Sequence, residues 1–280
     1  MTIRIAVDVG GTFTDVVAID STGRLTFVKA ATTPDNQAIG TMAGIGKLAA
    51  ELGMDVATLL GRTERIVHGM TVATNALLER KGAKVGLLTT EGHRDVLEMR
   101  EGLKPDRYNL RLPRLEPLVP RRLRFGVRER IRADGRIETP LDATSLARAV
   151  EQLKAAAVTS VAVCYLHAYR DAGHEQRTRD VLAAAMPGVH VSLSSEVLPQ
   201  IKEFERVSTT VVNGYVGPLI ARYLGQLEAK LAEAGFGGPL LIILSHGGVA
   251  PVSEAVRVAA GTVLSGPAGG LAGGRRVAQM

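Results

Sequence analysis

The chain has 280 residues and a net charge of +6, and nearly half of it is hydrophobic; this suits one or two folded globular domains and excludes a disordered chain. Aromatic residues are scarce and tryptophan is absent, which argues against single-strand nucleic-acid binding, while the mild positive charge fits anionic small molecules as well as polymers. Cys164 is the only cysteine, so an intrachain disulfide is excluded and a reducing, cytoplasmic compartment is expected; with no apolar h-region and no run of ~18 apolar residues, neither signal peptide nor membrane span is expected.

In chain order, Ile3, Ile5 and Val7 alternate with Arg4 and Ala6 as in a strand. The strand leads through Asp8 to Gly10-Gly11-Thr12-Phe13-Thr14-Asp15, and a second apolar run, Val16–Ile19, follows. This is a β-hairpin whose tip carries two glycines flanked by hydroxyls and carboxylates. Glycines let backbone N–H groups approach an anion, hydroxyls add donors, and a carboxylate at a strand end suits Mg2+. The tip therefore has the parts to hold a nucleotide's terminal phosphates. It is not a Walker A loop, since no Gly-Lys-Ser/Thr follows, and not a Rossmann fingerprint, since the glycines do not open a helix. The plainer reading is an ordinary tight hairpin, where Gly-Gly is common.

Leu25–Val28 reads as a third strand, and Thr32-Thr33-Pro34-Asp35 as the start of an amphipathic helix running from Ala38 to Leu52. Arg65–Gly69 is a short strand, and Thr71–Leu78 a helix start. His68, Thr71, Thr74 and Asn75 thus gather at a strand-to-helix junction, where α/β proteins often bind ligands; capping and core packing are the structural alternatives for these residue types. Lys84–Thr89 reads as a buried strand. From about 100 to 140 the chain is basic and proline-rich. Leu123, Phe125, Val127 and Ile131 are expected on one strand face, and Arg122, Arg124, Arg128, Arg130 and Arg132 mostly on a solvated opposite face, with Asp134-Gly135 as a hairpin turn. A helix from Asp142, a buried strand Ser160–Leu166 holding an inert Cys164, a helix over 172–186 and a strand over 189–193 suggest a parallel crossover. A long helical stretch from Glu203 to about Leu231 is expected to break or kink at Pro218. Leu240–Leu244 is a strand ending in Ser245-His246-Gly247-Gly248, and Ser265-Gly266-Pro267-Ala268-Gly269-Gly270 opens a helix of small residues.

The opening segment resembles the first phosphate loop of the actin, sugar-kinase and heat-shock-chaperone ATPases. VDVGGTFTD, HGMTVATNALLERKGAKVGLLTTEGHRDVLEMR and SGPAGG are more narrowly similar to the hydantoinase A and 5-oxoprolinase family, whose segment usually has Thr where Met70 stands and Asn where His246 stands. The resemblance spans essentially the whole chain but only the first part of the usual subunit. The second Gly-Gly-Thr loop and the adenosine-binding segment it implies do not occur before Met280, so a truncated subunit is expected.

The resemblance implies an α/β fold: an actin-like, ribonuclease H-like ATPase lobe with a mixed sheet, an N-terminal β-hairpin phosphate loop and flanking helices. It implies a hydantoinase/oxoprolinase N-terminal domain over 1–200, with a basic hairpin insertion at about 100–140, and the start of a central domain over 201–280. The expected activity is ATP-dependent ring opening of a cyclic amide or imide through phosphorylation of its carbonyl oxygen, with Mg2+ or another divalent cation. Asp8 and Asp15 are expected to be catalytic, with Asp8 on the metal. Gly10, Gly11, Thr12, Phe13, Thr14, Gly266 and Gly269 would bind the nucleotide, and His68, Thr71, Thr74, Asn75 and His246 the substrate. A hydantoinase B-type subunit or domain is the expected partner, with no nucleic acid and no membrane. The alternatives are an acetone- or acetophenone-type carboxylase subunit, a sugar kinase, and a non-catalytic lobe that binds or assembles.

Overall fold

Strand β1 (Ile3–Val9) buries Ile3, Ile5, Val7 and Val9 and exposes Arg4, Ala6 and Asp8, as a period of two requires. The structure, a computed structural model, describes residues 2–33, 35–102, 106, 108–113 and 116–279; Pro34 of the expected helix start and Pro105 of the basic stretch lie outside them. The chain forms two compact units, residues 1–81 with 219–280 and residues 82–218. The division near residue 200 expected from the sequence follows family segments, whereas these units follow the sheets.

In the first unit, β1, β2 (Phe13–Asp20) and β3 (Leu25–Ala31) form an antiparallel meander. Helix α1 (Gln37–Glu51) is capped by Asn36, whose side chain accepts from the Ala38 amide. The helix packs closely on β2: a Cβ at Gly44 would stand 2.7 Å from Val16 Cγ2, so only glycine fits there. Helix α2 (Val56–Gly61) leads to β4 (Thr63–Met70), which pairs parallel with β1, and α3 (Val72–Leu78) follows.

The second unit is built on four parallel strands. It comprises β5 (Val85–Thr90), α4 (Val96–Met99), β6 (Arg124–Val127), the two-stranded β7 (Arg130–Ile131) and β8 (Ile137–Thr139), α5 (Ala143–Ala155), β9 (Ser160–Cys164), α6 (Gly173–Ala185), β10 (His190–Leu193) and α7 (Ser194–Val197). Its sheet order is β10-β9-β5-β6. Every residue of β5 and β9 is buried, as in a sheet covered on both faces. Burial pushes the Cys164 thiol up to about 11, which fits inert packing.

The single arginine-faced strand expected near residue 125 is not present. Arg121–Leu123 is a short 3-10 turn, β6 joins the parallel sheet, and Arg130–Ile131 belongs to a separate hairpin. Arg124 is buried, donating to the Val119 carbonyl (2.9 Å) and to Glu98 Oε2 (3.1 Å). Two backbone carbonyls, those of Val119 and Arg94, and the partly exposed Glu98 satisfy its charge in place of water.

Helix α8 (Glu203–Glu233) continues through Pro218 rather than ending there; its residues to 218 belong to the second unit and those from 219 to the first. Back in the first unit, β11 (Leu240–Ile243) pairs parallel with β4, β12 (Val249–Pro251) returns antiparallel, and α9 (Val252–Arg257) and α10 (Ser265–Val277) follow. The completed sheet reads β12-β11-β4-β1-β2-β3. Among the described residues, no helix is long and apolar enough to cross a membrane.

Candidate functional site

The β1–β2 register pairs Val9 with Thr14, and the Gly10 amide donates to the Phe13 carbonyl (3.0 Å), so Gly11 and Thr12 form the exposed tip. Neither Gly10 nor Gly11 uses a left-handed φ. The end of β3 clamps the tip: the Thr32 amide donates to the Thr12 carbonyl (3.0 Å) and the Thr32 hydroxyl to the Gly10 carbonyl (2.9 Å). Thr14 is fully buried, its hydroxyl 3.0 Å from that of Thr32, so it serves the clamp. Among the described residues the amides of Gly11 and Thr12 have no hydrogen-bond partner. Phe13 is half exposed under the Lys29 ammonium, 5.2 Å from its ring centroid.

Asp8 and Asp15 are directly opposed in the hairpin and therefore share a face. Lys29 Nζ lies 3.1 Å from Asp15 Oδ1. Asp8 reaches solvent, yet the surrounding protein partly desolvates its carboxyl; this, and then the charge of Asp15, raises its pKa. Gly69, beside Asp8 on β4, makes room for this carboxylate: a Cβ there would stand 3.2 Å from Asp8 Oδ1 and 3.5 Å from Ile243 Cδ1. A Cβ at Gly269 would lie 3.3 Å from the same Ile243 atom. The start of α10 is fastened to the β4–α3 junction, with the Leu264 amide donating to Thr74 Oγ1 (3.0 Å) and Ser265 Oγ to the Met70 carbonyl (3.2 Å). Gly266 has open space where a Cβ would stand.

A cavity of about 560 Å3 also opens at the hairpin tip, lined by Val9, Gly10, Gly11, Thr32, Asn36, Thr71, Asn75, Glu79, Lys81, Arg222, Tyr223 and Gln226 among others. Thr71 is tied to the strand end, its amide and hydroxyl both donating to the Val9 carbonyl (3.0 and 3.1 Å), and Asn75 Nδ2 donates to Thr71 Oγ1 (3.3 Å). His68 is wholly buried, with Nε2 2.7 Å from the Tyr223 hydroxyl and no partner for Nδ1; desolvation pushes its pKa down to about 4, so it is neutral at pH 7.

The structure thus gathers Gly10, Gly11, Thr71 and Asn75 at one cavity and Asp8 with Asp15 on one hairpin face. His68 and Thr14 stand buried as supports, and Thr74 secures the approach to α10. His246 is exposed in the β11–β12 turn, where its Nδ1 accepts from the Gly248 amide (3.1 Å); it does not line the cavity. Sequence reasoning missed Thr32, Lys81, Arg222, Tyr223 and Gln226. The one available signal was Arg222 and Gln226 at i and i+4, which share a helix face.

The hairpin-led mixed sheet with its flanking helices is a mixed α/β fold. The chain belongs to the hydantoinase/oxoprolinase family: residues 4–186 match the hydantoinase/oxoprolinase N-terminal region and residues 206–280 match the hydantoinase/oxoprolinase domain that follows. It is 39% identical over 278 residues to caprolactamase subunit alpha of Pseudomonas jessenii, covering 99% of this chain and 40% of that subunit. Among solved structures it matches the ATP-dependent caprolactamase of that organism, with TM-score 0.84, 38% identity and coverage of 95% of this chain and 39% of that one. It also matches nucleotide-free acetone carboxylase, with TM-score 0.90, 30% identity and coverage of 99% and 40%. The chain therefore spans about 40% of the length of these relatives, which are ATP-dependent enzymes.

Proposed function

We propose that this chain carries the first phosphate-binding loop of an ATP-dependent enzyme that opens a cyclic amide or imide. The observation that carries the reading is the hairpin tip. It offers two free amide donors, has an opposed carboxylate pair on one face, and opens into a polar cavity sized for a small molecule. Gly11 and Thr12 would hold the terminal phosphates. Thr32 and Thr14 keep the loop in place, and Gly266 and Gly269 at the start of α10 would border the nucleotide. Two opposed carboxylates, one with a raised pKa, fit a divalent cation: Asp8 would hold Mg2+ with Asp15 beside it, and the ion would neutralise phosphate charge.

In the reaction, the amide carbonyl oxygen attacks the γ-phosphorus, the bond from that phosphorus to the bridging oxygen breaks, and ADP leaves. Water then adds to the activated ring carbon and the ring C–N bond breaks, the nitrogen leaving protonated, which gives an acyl phosphate; a second water hydrolyses the acyl phosphate to the carboxylate and inorganic phosphate. Asn75, Thr71 and Tyr223 would orient the carbonyl compound in the cavity. Hydrolysis would be completed with a hydantoinase B-type partner, in keeping with relatives named as subunits. The match to acetone carboxylase favours a second reading, in which a ketone occupies the same cavity and its enolate oxygen is phosphorylated.

Calorimetry with Mg-ATP tests the first step. Binding weakened at least about tenfold by Asp8→Ala is expected, as for loss of a charge-assisted contact. Equal affinity in wild type and Asp8→Ala removes the phosphate-loop reading. Competition by a lactam or by a ketone, each titrated in the presence of a non-hydrolysable ATP analogue, separates the two substrate classes.

A further inference from the structure

The second unit has a ligand-binding edge of its own. Strand β5 connects onward to β6 on one side, whereas β9 connects to β10 on the other. The two middle strands therefore send their connections in opposite directions. In open parallel sheets the crevice at such a switch point, outside the carboxyl ends of the strands, is where ligands bind.

Two buried acids at this edge, Glu129 and Glu175, are already committed. Glu129 takes the Thr90 hydroxyl and His174 Nδ1 (2.8 Å). Glu175 takes the Tyr165 amide (3.0 Å), the Ser194 hydroxyl (2.6 Å) and the Ser195 amide (2.8 Å). Three of the cations there, Arg130, Arg170 and Arg206, have no carboxylate partner among the described residues. Arg206 is 1% exposed and donates from Nη2 to the Tyr165 carbonyl (3.0 Å), while its Nε and Nη1 have no hydrogen-bond partner. The guanidiniums of Arg206 and Arg170 lie 5.3 and 5.5 Å from the Tyr169 ring centroid, and the Tyr169 hydroxyl is 3.3 Å from His167 Nδ1. His167 itself is held at φ 56°, in the left-handed region.

His167 lines an open cavity of about 460 Å3 together with Arg130, Arg132, Asp134 and Glu138, and Asp134 is paired with Arg136 (2.7 Å). Arg132 is neutralised by Glu138 (3.1 Å). Among the described residues no carboxylate comes within ion-pair distance of Arg130, Arg170 or Arg206. After desolvation, the charges acting on His167 are one acid, Glu203, and these three arginines. Leaving a buried guanidinium with two unmet nitrogens beside two further unpaired ones is costly unless an anion visits.

We propose that this edge binds a small oxyanion, the phosphate or carboxylate group of a small molecule, between Arg130, Arg170 and His167, with Arg206 supplying buried positive charge behind Tyr169. Planar guanidiniums suit both groups. The site lies wholly within residues 82–218 and is independent of the hairpin loop.

The test is a titration of the intact chain with inorganic phosphate and, separately, acetate at constant ionic strength. It follows the His167 ring resonance, assigned through His167→Gln. The expected result is a saturable shift with at least one anion. It should be weakened about tenfold for each of Arg130→Ala and Arg170→Ala, as for loss of a charged hydrogen bond, and retained in Asp8→Ala. Which anion saturates identifies the group bound. An unchanged resonance of the buried His174, in the same unit, establishes that the variants are folded. A shift that never saturates, or one that survives in the double arginine variant, overturns the proposal.

Discussion

His68 and Tyr223 show what burial does to one titratable side chain. His68 is neutral in the fold, with its pKa near 4 against an ordinary value of 6.5. The unfolded chain therefore takes up this proton first as pH falls. The stability that neutral His68 permits is fully present above pH 6.5 and is lost progressively towards pH 4, by about 3 kcal/mol in all. Denaturant midpoints of wild type and His68→Gln at pH 7 and pH 4.5 (roughly the lower end of that window) check this: the wild type should lose markedly more between the two. Gly69→Ala belongs at the same scale. Its Cβ would press on the Asp8 carboxylate, so Mg-ATP affinity should fall several-fold, read by calorimetry, while the circular dichroism spectrum is unchanged. Asp8 and Asp15 were legible in the sequence because alternation on both sides of Gly10-Gly11 implies a hairpin, and a hairpin opposes them. The bond from Tyr223 to His68 was not legible, since its partners stand 155 positions apart and no local periodicity links them.

At the scale of elements, the first hairpin, α1, β5, α5 and β9 formed where periodicity placed them, because each buries a continuous apolar face or run. The arginine-rich stretch misled for a physical reason. Period-two alternation was read across what is in fact a 3-10 turn, a parallel strand and a separate hairpin, each with its own phase. Arg124 is consequently a core residue, and Arg124→Ala opens a void and leaves the Val119 carbonyl without its donor; a loss of about 2 kcal/mol is expected in chemical denaturation. Thr32→Val tests the clamp on the hairpin. It keeps the amide bond to Thr12 and removes the hydroxyl that serves Gly10 and Thr14. Faster hydrogen exchange should then appear at the Gly10 amide, with global stability reduced by about 1 kcal/mol.

At the scale of the whole molecule, the first sheet is assembled from both ends of the chain while residues 82–218 form a unit without a break. A polypeptide of residues 82–218 should therefore fold alone, giving a dispersed NMR spectrum and one cooperative thermal transition, whereas residues 1–81 alone should not. The sequence could not disclose this arrangement, because insertion leaves local patterns intact and shows itself only in which strands pair. The pairing of β4 has a consequence for synthesis. Its outer backbone, at Ile66, Val67 and His68, pairs with Leu240–Ile242 of β11, and the Ile66 amide donates to the Pro239 carbonyl just before them. While the chain emerges from the ribosome, that edge stays open and apolar until the intervening stretch has been made, a template for wrong partners. An early-folding 82–218 segment would shorten the effective tether between β4 and β11, and the late arrival of β11 would close this flank of the nascent sheet.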